Sequence, residues 1–484
     1  MAPSDHELVL ANASIVDGSG APARPGDVAI DGAAIAAIGP PGSLGGRRVV
    51  DLGGKTLAPG FIDVHTHDDR AVLADPAMLP KVSQGVTTVI VGNCGVSLAP
   101  LTLPGRAVPP PLNLLGAVED FRFPRVADYV AAVVAARPAV NVAALVGHSS
   151  LRVTVMPDLD RPATAAEQEA MRGMLREGLA AGAIGFSSGL FYATSMGADA
   201  AEVAALAAEA AAVGGVYTTH MRNEGDAIVP ALEETFATAR AATAPVIISH
   251  HKCAGPANWG RTIETLALID AAAERQEVGL DAYPYIAGST VLKPELVDGR
   301  IRIMVTWSEP HPAMAGRDLA DIARDWGCSE REACDRLQPG GACYFQMRED
   351  DVQRVLRFPA TMIGSDGLPH DSHPHPRLWG TFPRVLGHYA RDLGLFTLEQ
   401  AVHKMTGLPA RKFRLAGRGL VAVGHRADLV VFDPATISDR ATFDAPAVTS
   451  AGIDLVMVNG RVAYRDGALT GERAGTMIRR SAAA

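Results

Sequence analysis

Cysteine, aromatic residues and basic charge are all scarce in this chain of 484 residues. Its five cysteines are an odd number spread over a long sequence, so they do not form a disulfide framework and they favour a reducing compartment. Lys and Arg total 44 against 53 Asp and Glu, a net charge of -9 that lacks the basic excess needed to bind a nucleic acid backbone. We therefore expect no nucleic acid partner.

Long apolar runs are missing as well. The most apolar stretch, 129–146, is interrupted by Arg137, Pro138 and Asn141, and so falls short of the ~20 uninterrupted residues that span a bilayer. The first ten residues have no basic start and no apolar run of signal-peptide length. These features predict a cytoplasmic protein with no membrane partner. With 48% hydrophobic and 20% charged residues, the composition is that of a folded globular protein.

Short strand-like segments separated by Gly, Pro and Asp turns occur at both ends of the chain. Together, residues 1–58 and 414–484 predict the two parts of one small β domain. The strands expected there are Leu8–Leu10, Ser14–Val16, Val28–Ile30, Ala34–Ile38, Val49–Leu52, Leu429–Phe432 and Leu455–Val458.

The central part of the chain, 59–413, alternates short β-branched runs with alanine-rich helical stretches, the pattern of βα units around a parallel sheet. Eight such units predict an α/β fold, a (β/α)8 TIM barrel. The strands are Phe61–Val64, Val86–Val91, Val142–Val146, Ala183–Phe186, Val216–Thr219, Val246–Ser249, Val278–Tyr283 and Thr361–Gly364. The expected helices include Ala165–Ala181, Asp199–Ala212, Ala227–Ala242, Thr262–Arg275 and Thr397–Lys404.

The connection between the seventh and eighth strands is much longer than an ordinary βα loop. It contains Pro, Gly, three cysteines and short helical segments. We expect residues 288–350 to form an insertion that serves as a lid over the mouth of the barrel.

Residues capable of binding a metal ion follow five of the eight predicted strands. Active sites of such barrels lie at the C-terminal ends of the strands. His65 and His67 share one face of the first strand, because side chains alternate along a strand. The full set is His65, His67, Cys94, His220, His250 and Asp366. Cys, His and carboxylate donors suit zinc best, although iron, cobalt or manganese could occupy such a site.

Other cysteines and histidines fit a metal site less well. Cys328, Cys334 and Cys343 lack the short spacing of a structural zinc site and are expected to be buried thiols. Cys253 lies three residues after His250, where a ligand role stays open but a substrate loop is the better interpretation. The tract that contains His370, His373 and His375 is expected to be mostly loop.

Several motifs resemble a known family. Residues 58–67, Ala-Pro-Gly-Phe-Ile-Asp-Val-His-Thr-His, resemble the first-strand motif of the amidohydrolase superfamily, and 424–433 resemble its return to a split β domain. The Asn93-Cys94-Gly95 and Thr219-His-Met-Arg-Asn-Glu224 stretches are similar to those of N-acyl-D-amino-acid deacylases, or D-aminoacylases. The resemblance extends over essentially the whole chain.

The resemblance implies a particular metal arrangement. Strand 4 leads to Ser187-Ser-Gly189, without the carboxylated lysine that bridges two metals in many amidohydrolases. In the D-aminoacylase branch a cysteine replaces it, which here implies one tight zinc held by Cys94, His220 and His250. A weaker second position would be framed by His65, His67 and Asp366.

The resemblance also implies a reaction, the hydrolysis of N-acyl-D-amino acids by a zinc-bound hydroxide. Zinc lowers the pKa of bound water toward ~7, so that hydroxide is available at neutral pH. Asp366 is expected to act as general base and then as general acid toward the departing amine. By the same resemblance the substrate is bound by Lys252, Tyr283 and Arg377 at its α-carboxylate, with Ser289 and Tyr192 also in the substrate-binding set.

Side-chain selectivity is expected to come from the insertion. Residues 289–295, Ser-Thr-Val-Leu-Lys-Pro-Glu, resemble the broad-specificity type, which predicts a preference for D-Met, D-Leu, D-Phe or D-Val derivatives. Lys293 keeps a D-glutamate or D-aspartate substrate open. A hydantoinase-like cyclic amidase and a non-catalytic protein of the same fold are further alternatives, and the missing strand-4 lysine counts against the cyclic amidase.

Overall fold

The computed structural model describes residues 6–480, so residues 1–5 and 481–484 of the two predicted terminal segments lie outside it. Two of the predicted N-terminal strands, Leu8–Leu10 and Ser14–Val16, are one strand, because the residues between them form a β-bulge instead of a turn. Asn12 in the bulge has φ +55° and donates its N–H to Asp27. The first five strands are β1 (Leu8–Ile15), β2 (Arg24–Asp31), β3 (Ala34–Gly39), β4 (Val49–Asp51) and β5 (Thr56–Pro59).

The central region contains all eight of the predicted barrel strands. Strands β6 to β14 are β6 (Phe61–Asp63), β7 (Val86–Val91), β8 (Leu101–Thr102), β9 (Arg122–Phe123), β10 (Asn141–Gly147), β11 (Gly185–Gly189), β12 (Val216–His220), β13 (Val246–Ile248) and β14 (Val278–Ala282). The next four are β15 (Gly288–Val291), β16 (Ile303–Ser308), β17 (Gly340–Tyr344) and β18 (Thr361–Ile363).

Eight of these strands are parallel neighbours in the order β6, β7, β10, β11, β12, β13, β14, β18. The first and last strands meet just beyond their C-terminal ends, where the Asp366 N–H donates to the His65 carbonyl at 2.8 Å. The barrel interior is filled by Ile62, Ile90, Leu145 and similar side chains, so it is a packed core. The predicted (β/α)8 barrel is confirmed.

Helices connect the strands, and the five predicted ones lie within two residues of helices of the structure. Capping boxes begin two of them, at Thr164 with Glu167 and at Thr397 with Gln400. The α-helices are α1 (Ala71–Ala74), α2 (Leu79–Val82), α3 (Val126–Ala136), α4 (His148–Val155), α5 (Ala165–Ala180), α6 (Ala193–Met196), α7 (Ala200–Ala212), α8 (Ile228–Ala241), α9 (Thr262–Ala273), α10 (Leu319–Trp326), α11 (Glu330–Leu337), α12 (Glu349–Arg357), α13 (Arg377–Arg384), α14 (Leu398–Met405) and α15 (Gly407–Lys412). A π-helical segment, Val385–Asp392, continues α13.

The insertion after the seventh barrel strand forms its own antiparallel sheet, in the order β15, β17, β16. Helices α10 and α11 pack on it through a separate apolar cluster that includes Leu319, Leu337 and Tyr344. This small unit contributes Ser289, Thr290 and Tyr344 to the wall of a cavity at the barrel mouth. Among residues 6–480, no helix combines the length and apolarity needed to cross a bilayer.

The C-terminal strands complete the sheet that the N-terminal strands begin. They are β19 (Leu429–Phe432), β20 (Ile453–Val458), β21 (Arg461–Arg465) and β22 (Ala468–Leu469). Strand β19 pairs with β5, so both chain ends build one sheet, as predicted. Strands β5, β21 and β22 were not predicted. The domain boundaries at 58 and 413, and the insertion bounds 288 and 350, stay predictions.

Candidate metal centre

The strand ends place the six predicted metal ligands at the mouth of the barrel. His65 and His67 follow β6, and Cys94 lies three residues after β7. His220 is the last residue of β12, His250 follows β13, and Asp366 follows β18. All six are buried.

Short distances join these side chains into overlapping groups. The Cys94 Sγ lies 3.2 Å from His65 Nε2 and 3.3 Å from His250 Nε2. The Asp366 Oδ1 lies 3.2 Å from His67 Nε2 and 3.5 Å from His65 Nε2. The rings of His220 and His250 have centroids 4.4 Å apart. The described residues therefore include groups whose ligand atoms lie close enough together to hold a metal ion.

Three of the six residues adopt an unusual backbone conformation. Cys94, His250 and Asp366 have φ of +53°, +35° and +50°, in the left-handed region that costs energy for residues with a side chain. The Cys94 turn also requires a close approach, since a Cβ on Gly189 would lie 2.1 Å from the Cys94 carbonyl oxygen. Strained residues of this kind concentrate at functional sites.

The buried Cys94 and Asp366 side chains carry negative charge, which favours positively charged groups at the metal centre. Burial raises the pKa of Cys94, but the adjacent His65 and His250 outweigh it and hold the thiol pKa well below its usual range. Burial likewise raises the pKa of Asp366, and Arg377 and His65 lower it further than burial raises it. Against the effect of burial, the pKa of His67 rises to about 9 because of Asp366 and Cys94. Thiolate, carboxylate and imidazole groups in this arrangement suit a cation.

Unpartnered buried nitrogens provide an independent test of whether a metal fits. Neither ring nitrogen of His220 has a hydrogen-bond partner in the described part of the chain, and the same is true of His67 Nδ1. Buried polar atoms normally have a partner, so such atoms need an explanation. Coordination of a metal ion through one nitrogen of the His220 ring explains one of these atoms, and the residues present fit a metal ion.

The predicted substrate-binding residues lie beside the metal centre. The Arg377 Nη2 is 2.9 Å from Asp366 Oδ2, and its guanidinium lies 4.4 Å from the Tyr283 ring centroid. Lys252 lies 5.8 Å from the same ring. The Ser289 Oγ has no partner within residues 6–480, and the Tyr192 hydroxyl lies 3.2 Å from Thr290 Oγ1.

A cavity of about 250 Å³ opens onto both sets of residues. Its walls include His220 and Asp366 of the metal centre, and Lys252, Tyr283 and Ser289 of the predicted substrate set. Arg377 differs from the others, because it is fully buried behind this surface. Two of its donors, Nε and Nη1, nevertheless lack a partner among the described residues.

Glu224 is the residue that sequence reasoning missed. It is buried, lines the cavity, and lies 2.7 Å from the Lys252 Nζ and 2.9 Å from His250 Nδ1. The available signal was its position four residues after His220, within the His-Met-Arg-Asn-Glu motif. A carboxylate this close in sequence to a strand-end histidine is a candidate for a role at the metal centre.

The secondary candidates lie outside the centre. No group of potential ligands found between residues 6 and 480 includes Cys253, and burial raises the pKa of its thiol to about 11. Cys334 and Cys343 are buried thiols as expected, whereas Cys328 is only half-buried. His375 lies in a loop, accepts the Arg377 N–H and lies 3.0 Å from the Ala287 carbonyl oxygen.

Comparison with known proteins adds a family relationship. A model of the amidohydrolase family matches residues 48–299 and 330–464. A D-aminoacylase from Alcaligenes xylosoxydans xylosoxydans is 54% identical over 478 residues, which cover 99% of this chain and 98% of that protein. An N-acyl-D-glutamate deacylase from the same organism is 50% identical over 477 residues, 98% of this chain and 97% of that protein.

Solved structures of related proteins support the same family relationship. A D-aminoacylase with a binuclear metal centre, in which one metal activates and a second attenuates, is 54% identical with a TM-score of 0.96 over 98% of this chain and 100% of that chain. A zinc complex of N-acyl-D-glutamate deacylase from Bordetella bronchiseptica, with a phosphonate mimic of the tetrahedral intermediate, is 49% identical with a TM-score of 0.95 over 99% and 100%. A dihydropyrimidinase from Brevibacillus agri, 17% identical with a TM-score of 0.63 over 99% of each chain, shows the shared fold alone.

Proposed function

The chain belongs to the amidohydrolase family and is an N-acyl-D-amino-acid deacylase, and on that premise we propose that it uses zinc and prefers substrates with apolar D side chains. The observation that supports a metal centre most directly is the contact of Cys94 Sγ with His65 Nε2 at 3.2 Å and with His250 Nε2 at 3.3 Å. Thiolate and imidazole together are typical zinc ligands.

In the structure, Cys94 and His250 group with His65, and His220 groups with Glu224 and His250. By resemblance to the D-aminoacylases, we assign one tight zinc to Cys94, His220 and His250. His65, His67 and Asp366 form the second group and would hold a metal more weakly. The division agrees with activation by one metal and attenuation by a second in the related D-aminoacylase. When bound, zinc supplies a Lewis acid that polarises the amide carbonyl and lowers the pKa of water.

Asp366 is the proposed proton carrier. In the hydrolysis, a water oxygen bonds to the acyl carbon, the C–N bond breaks, and the water proton reaches the departing nitrogen. The Asp366 carboxylate faces the cavity beside the proposed metal position, where it can accept that proton. It then returns the proton to the amine, which is too basic to leave as an anion.

The substrate carboxylate would be bound by the cationic side of the cavity. Lys252 and Tyr283 line it directly, and Ser289 contributes a hydroxyl without a partner in the described chain. Nε and Nη1 of Arg377 have no hydrogen-bond partner among residues 6–480, which supports a role in binding an anion beside Tyr283. Arg favours paired contacts with a carboxylate.

Apolar side chains of the substrate would lie against the insertion and the loop after β11. This part of the cavity wall contains Phe191, Tyr192, Leu296, Ile301 and Tyr344. Aromatic and aliphatic walls favour D-methionine, D-leucine or D-phenylalanine over an acidic side chain, which loses its hydration there. Lys293, 3.8 Å from the Phe191 ring, is the feature that favours acidic substrates as the second candidate.

The proposal is tested by metal content and substrate selectivity measured on the same purified protein. We expect about one zinc per chain, hydrolysis of N-acetyl-D-methionine but not its L enantiomer, and a lower kcat/KM for N-acetyl-D-glutamate. In the Cys94→Ala variant, zinc and activity should be lost together. A fully active protein without bound metal would refute the zinc assignment, and a higher kcat/KM for N-acetyl-D-glutamate would refute the apolar preference. A cytoplasmic location stays a prediction.

A further inference from the structure

A buried carboxylate, Glu224, connects the metal centre to the proposed substrate-binding lysine. Its Oε1 lies 2.9 Å from His250 Nδ1 and 2.7 Å from Lys252 Nζ. The Lys252 Nζ in turn lies 2.9 Å from His250 Nδ1 and donates to the His250 carbonyl. Two charged groups, the Glu224 carboxylate and the Lys252 ammonium, therefore converge on one ring nitrogen.

The position of one hydrogen decides how His250 can act. Its Nε2 lies 3.3 Å from Cys94 Sγ, so this nitrogen faces the proposed metal position and must present a lone pair there. A neutral imidazole carries its hydrogen on the other nitrogen, Nδ1. The Nδ1–H then needs an acceptor, and an ammonium group has none to offer. Glu224 Oε1 is the acceptor within reach.

Lys252 favours the opposite arrangement. Without Glu224, its ammonium would donate to His250 Nδ1 from 2.9 Å and move the ring hydrogen to Nε2. That tautomer directs a hydrogen, in place of a lone pair, toward Cys94. The carboxylate prevents this in two ways: it accepts the Nδ1–H, and it attracts the ammonium to itself.

The charges agree with this arrangement, because the Glu224 carboxylate contacts both the Lys252 ammonium and the His250 ring. His220, Glu224 and His250 lie close enough together to resemble a metal site, yet the Lys252 ammonium already supplies the cation beside Glu224.

We propose that Glu224 is a positioning residue that sets the tautomer of His250 for metal binding and counteracts Lys252. The inference depends on the proposed function, in which His250 is a metal ligand. Carboxylates that orient a ligating histidine typically change metal affinity about 10–100-fold when removed.

The test is the zinc dissociation constant of the full chain, measured by chelator competition. Glu224→Leu should weaken zinc binding about 10–100-fold, because Lys252 then imposes the wrong tautomer. Adding Lys252→Met should restore at least a tenfold tighter affinity than the single variant, while activity stays low because the substrate contact is gone. Weak zinc binding in both variants would show that Glu224 acts as a ligand or through general structure, and would overturn the inference.

A second variant and two controls keep the outcome interpretable. Should Glu224→Leu fail to fold, Glu224→Gln keeps the shape but not the charge, and it should weaken zinc binding less, again with recovery on adding Lys252→Met. Glu202→Gln, a buried carboxylate outside the cavity, should leave zinc affinity unchanged. His250→Ala must lose tight zinc. If it does not, the proposed ligand set is wrong, whereas unchanged affinity in both Glu224 variants alongside zinc loss in His250→Ala overturns only the role of Glu224.

Discussion

Two buried glutamates in this barrel each contact a histidine and a basic side chain, but the surroundings of the two differ. Glu202 lies 2.8 Å from His148 Nε2 and accepts hydrogen bonds from Arg152 and the Ala163 N–H. Glu224 likewise combines a histidine with a cation, but it also lines the cavity and lies 3.5 Å from the unpartnered His220 Nε2.

The difference shows what separates a structural ion cluster from a functional one. Both oxygens of Glu202 have hydrogen-bond donors, and its side chain, like those of His148 and Arg152, has no exposed surface. The Glu224 cluster lies beside the cavity that a substrate can enter. It also includes His220, whose ring nitrogens have no hydrogen-bond partner among the described residues. Residue types alone, a carboxylate with a histidine and a base, do not distinguish the two. The surrounding cavity does, because His148 Nδ1 of the Glu202 cluster also lacks a partner among the described residues, but the cavity at the barrel mouth does not reach that cluster.

The largest effect is expected in the cavity cluster, from Asp366→Asn. Loss of the proton carrier should lower kcat by about 10²–10⁴-fold. Zinc should stay near one per chain, since Asp366 belongs to the weaker of the two proposed groups. Steady-state kinetics with N-acetyl-D-methionine, with folding checked by circular dichroism, measure this. A kcat within tenfold of the wild type would rule out Asp366 as proton carrier.

The opposite behaviour is expected of the structural cluster, in Glu202→Gln. Removing one partner of a buried ion pair should lower the free energy of unfolding by about 3–5 kcal/mol, while kcat at 25 °C stays close to that of the wild type. Urea denaturation measures the loss. Asp325→Asn, at an exposed pair with Arg317, is the control and should change stability by less than about 1 kcal/mol. A large fall in kcat with unchanged stability would reverse the assignment.

The Glu202 cluster is expected to make the free energy of unfolding of the wild type fall in acid. Burial raises the pKa of Glu202, but His148 and Arg152 outweigh it and lower the pKa from 4.5 to about 2. A folded-state pKa below the unfolded one stabilises the protein above about pH 4.5, and this contribution is lost as the pH falls toward 2. The Glu202→Gln variant should therefore lose less stability than the wild type between these two pH values.

Sequence periodicity was sufficient to predict the barrel. Each of the eight strands is a short apolar run between turn signals, and the parallel order follows from alternation with helices. The failures lie outside the barrel, in the terminal sheet and in the unpredicted strands β8, β9, β15, β16 and β17. Strand β5 (Thr56–Pro59) ends in proline and directly precedes a barrel strand, so its pattern merges with the next element. In β1, a bulge at Asn12, which has φ +55°, joins two segments that were predicted as separate strands.

The proximity of the predicted ligands follows from their positions at strand ends, while their roles stay predictions. His65 and His67 meet because side chains two apart share a face, and the other predicted ligands meet because parallel strands end together. Glu224 lies in a loop, and its contact with Lys252 depends on how two loops pack, which no local pattern encodes. The complete burial of Arg377 was unpredictable for the same reason.

Arg377 provides a smaller test of the cavity cluster. Arg377→Lys keeps a positive charge beside Asp366 but removes the planar pair of donors that a carboxylate accepts. Loss of a charged hydrogen bond should raise KM for N-acetyl-D-methionine about 10–100-fold, with a smaller change in kcat. Competitive inhibition by free D-methionine should weaken in parallel. An unchanged KM would place the substrate carboxylate on Lys252 and Tyr283 alone.

The smallest expected effect concerns Lys293, a half-buried cation with no carboxylate within ion-pair distance among residues 6–480. It differs from Lys252 and Arg152, which are both neutralised by a glutamate. Its ammonium lies 3.8 Å from the ring of Phe191, which lines the cavity, so we expect it to attract an acidic substrate side chain. A partly exposed ion pair contributes up to about 1 kcal/mol, so Lys293→Met should lower the ratio of kcat/KM for N-acetyl-D-glutamate over N-acetyl-D-methionine about fivefold. Lys55→Met, at an ion pair with Asp454 in the terminal sheet, is the matched control and should leave the ratio unchanged. If Lys293→Met also leaves the ratio unchanged, the Lys293 ammonium has a structural role, packing on Phe191. Lys293 would then be structural, as Arg152 is.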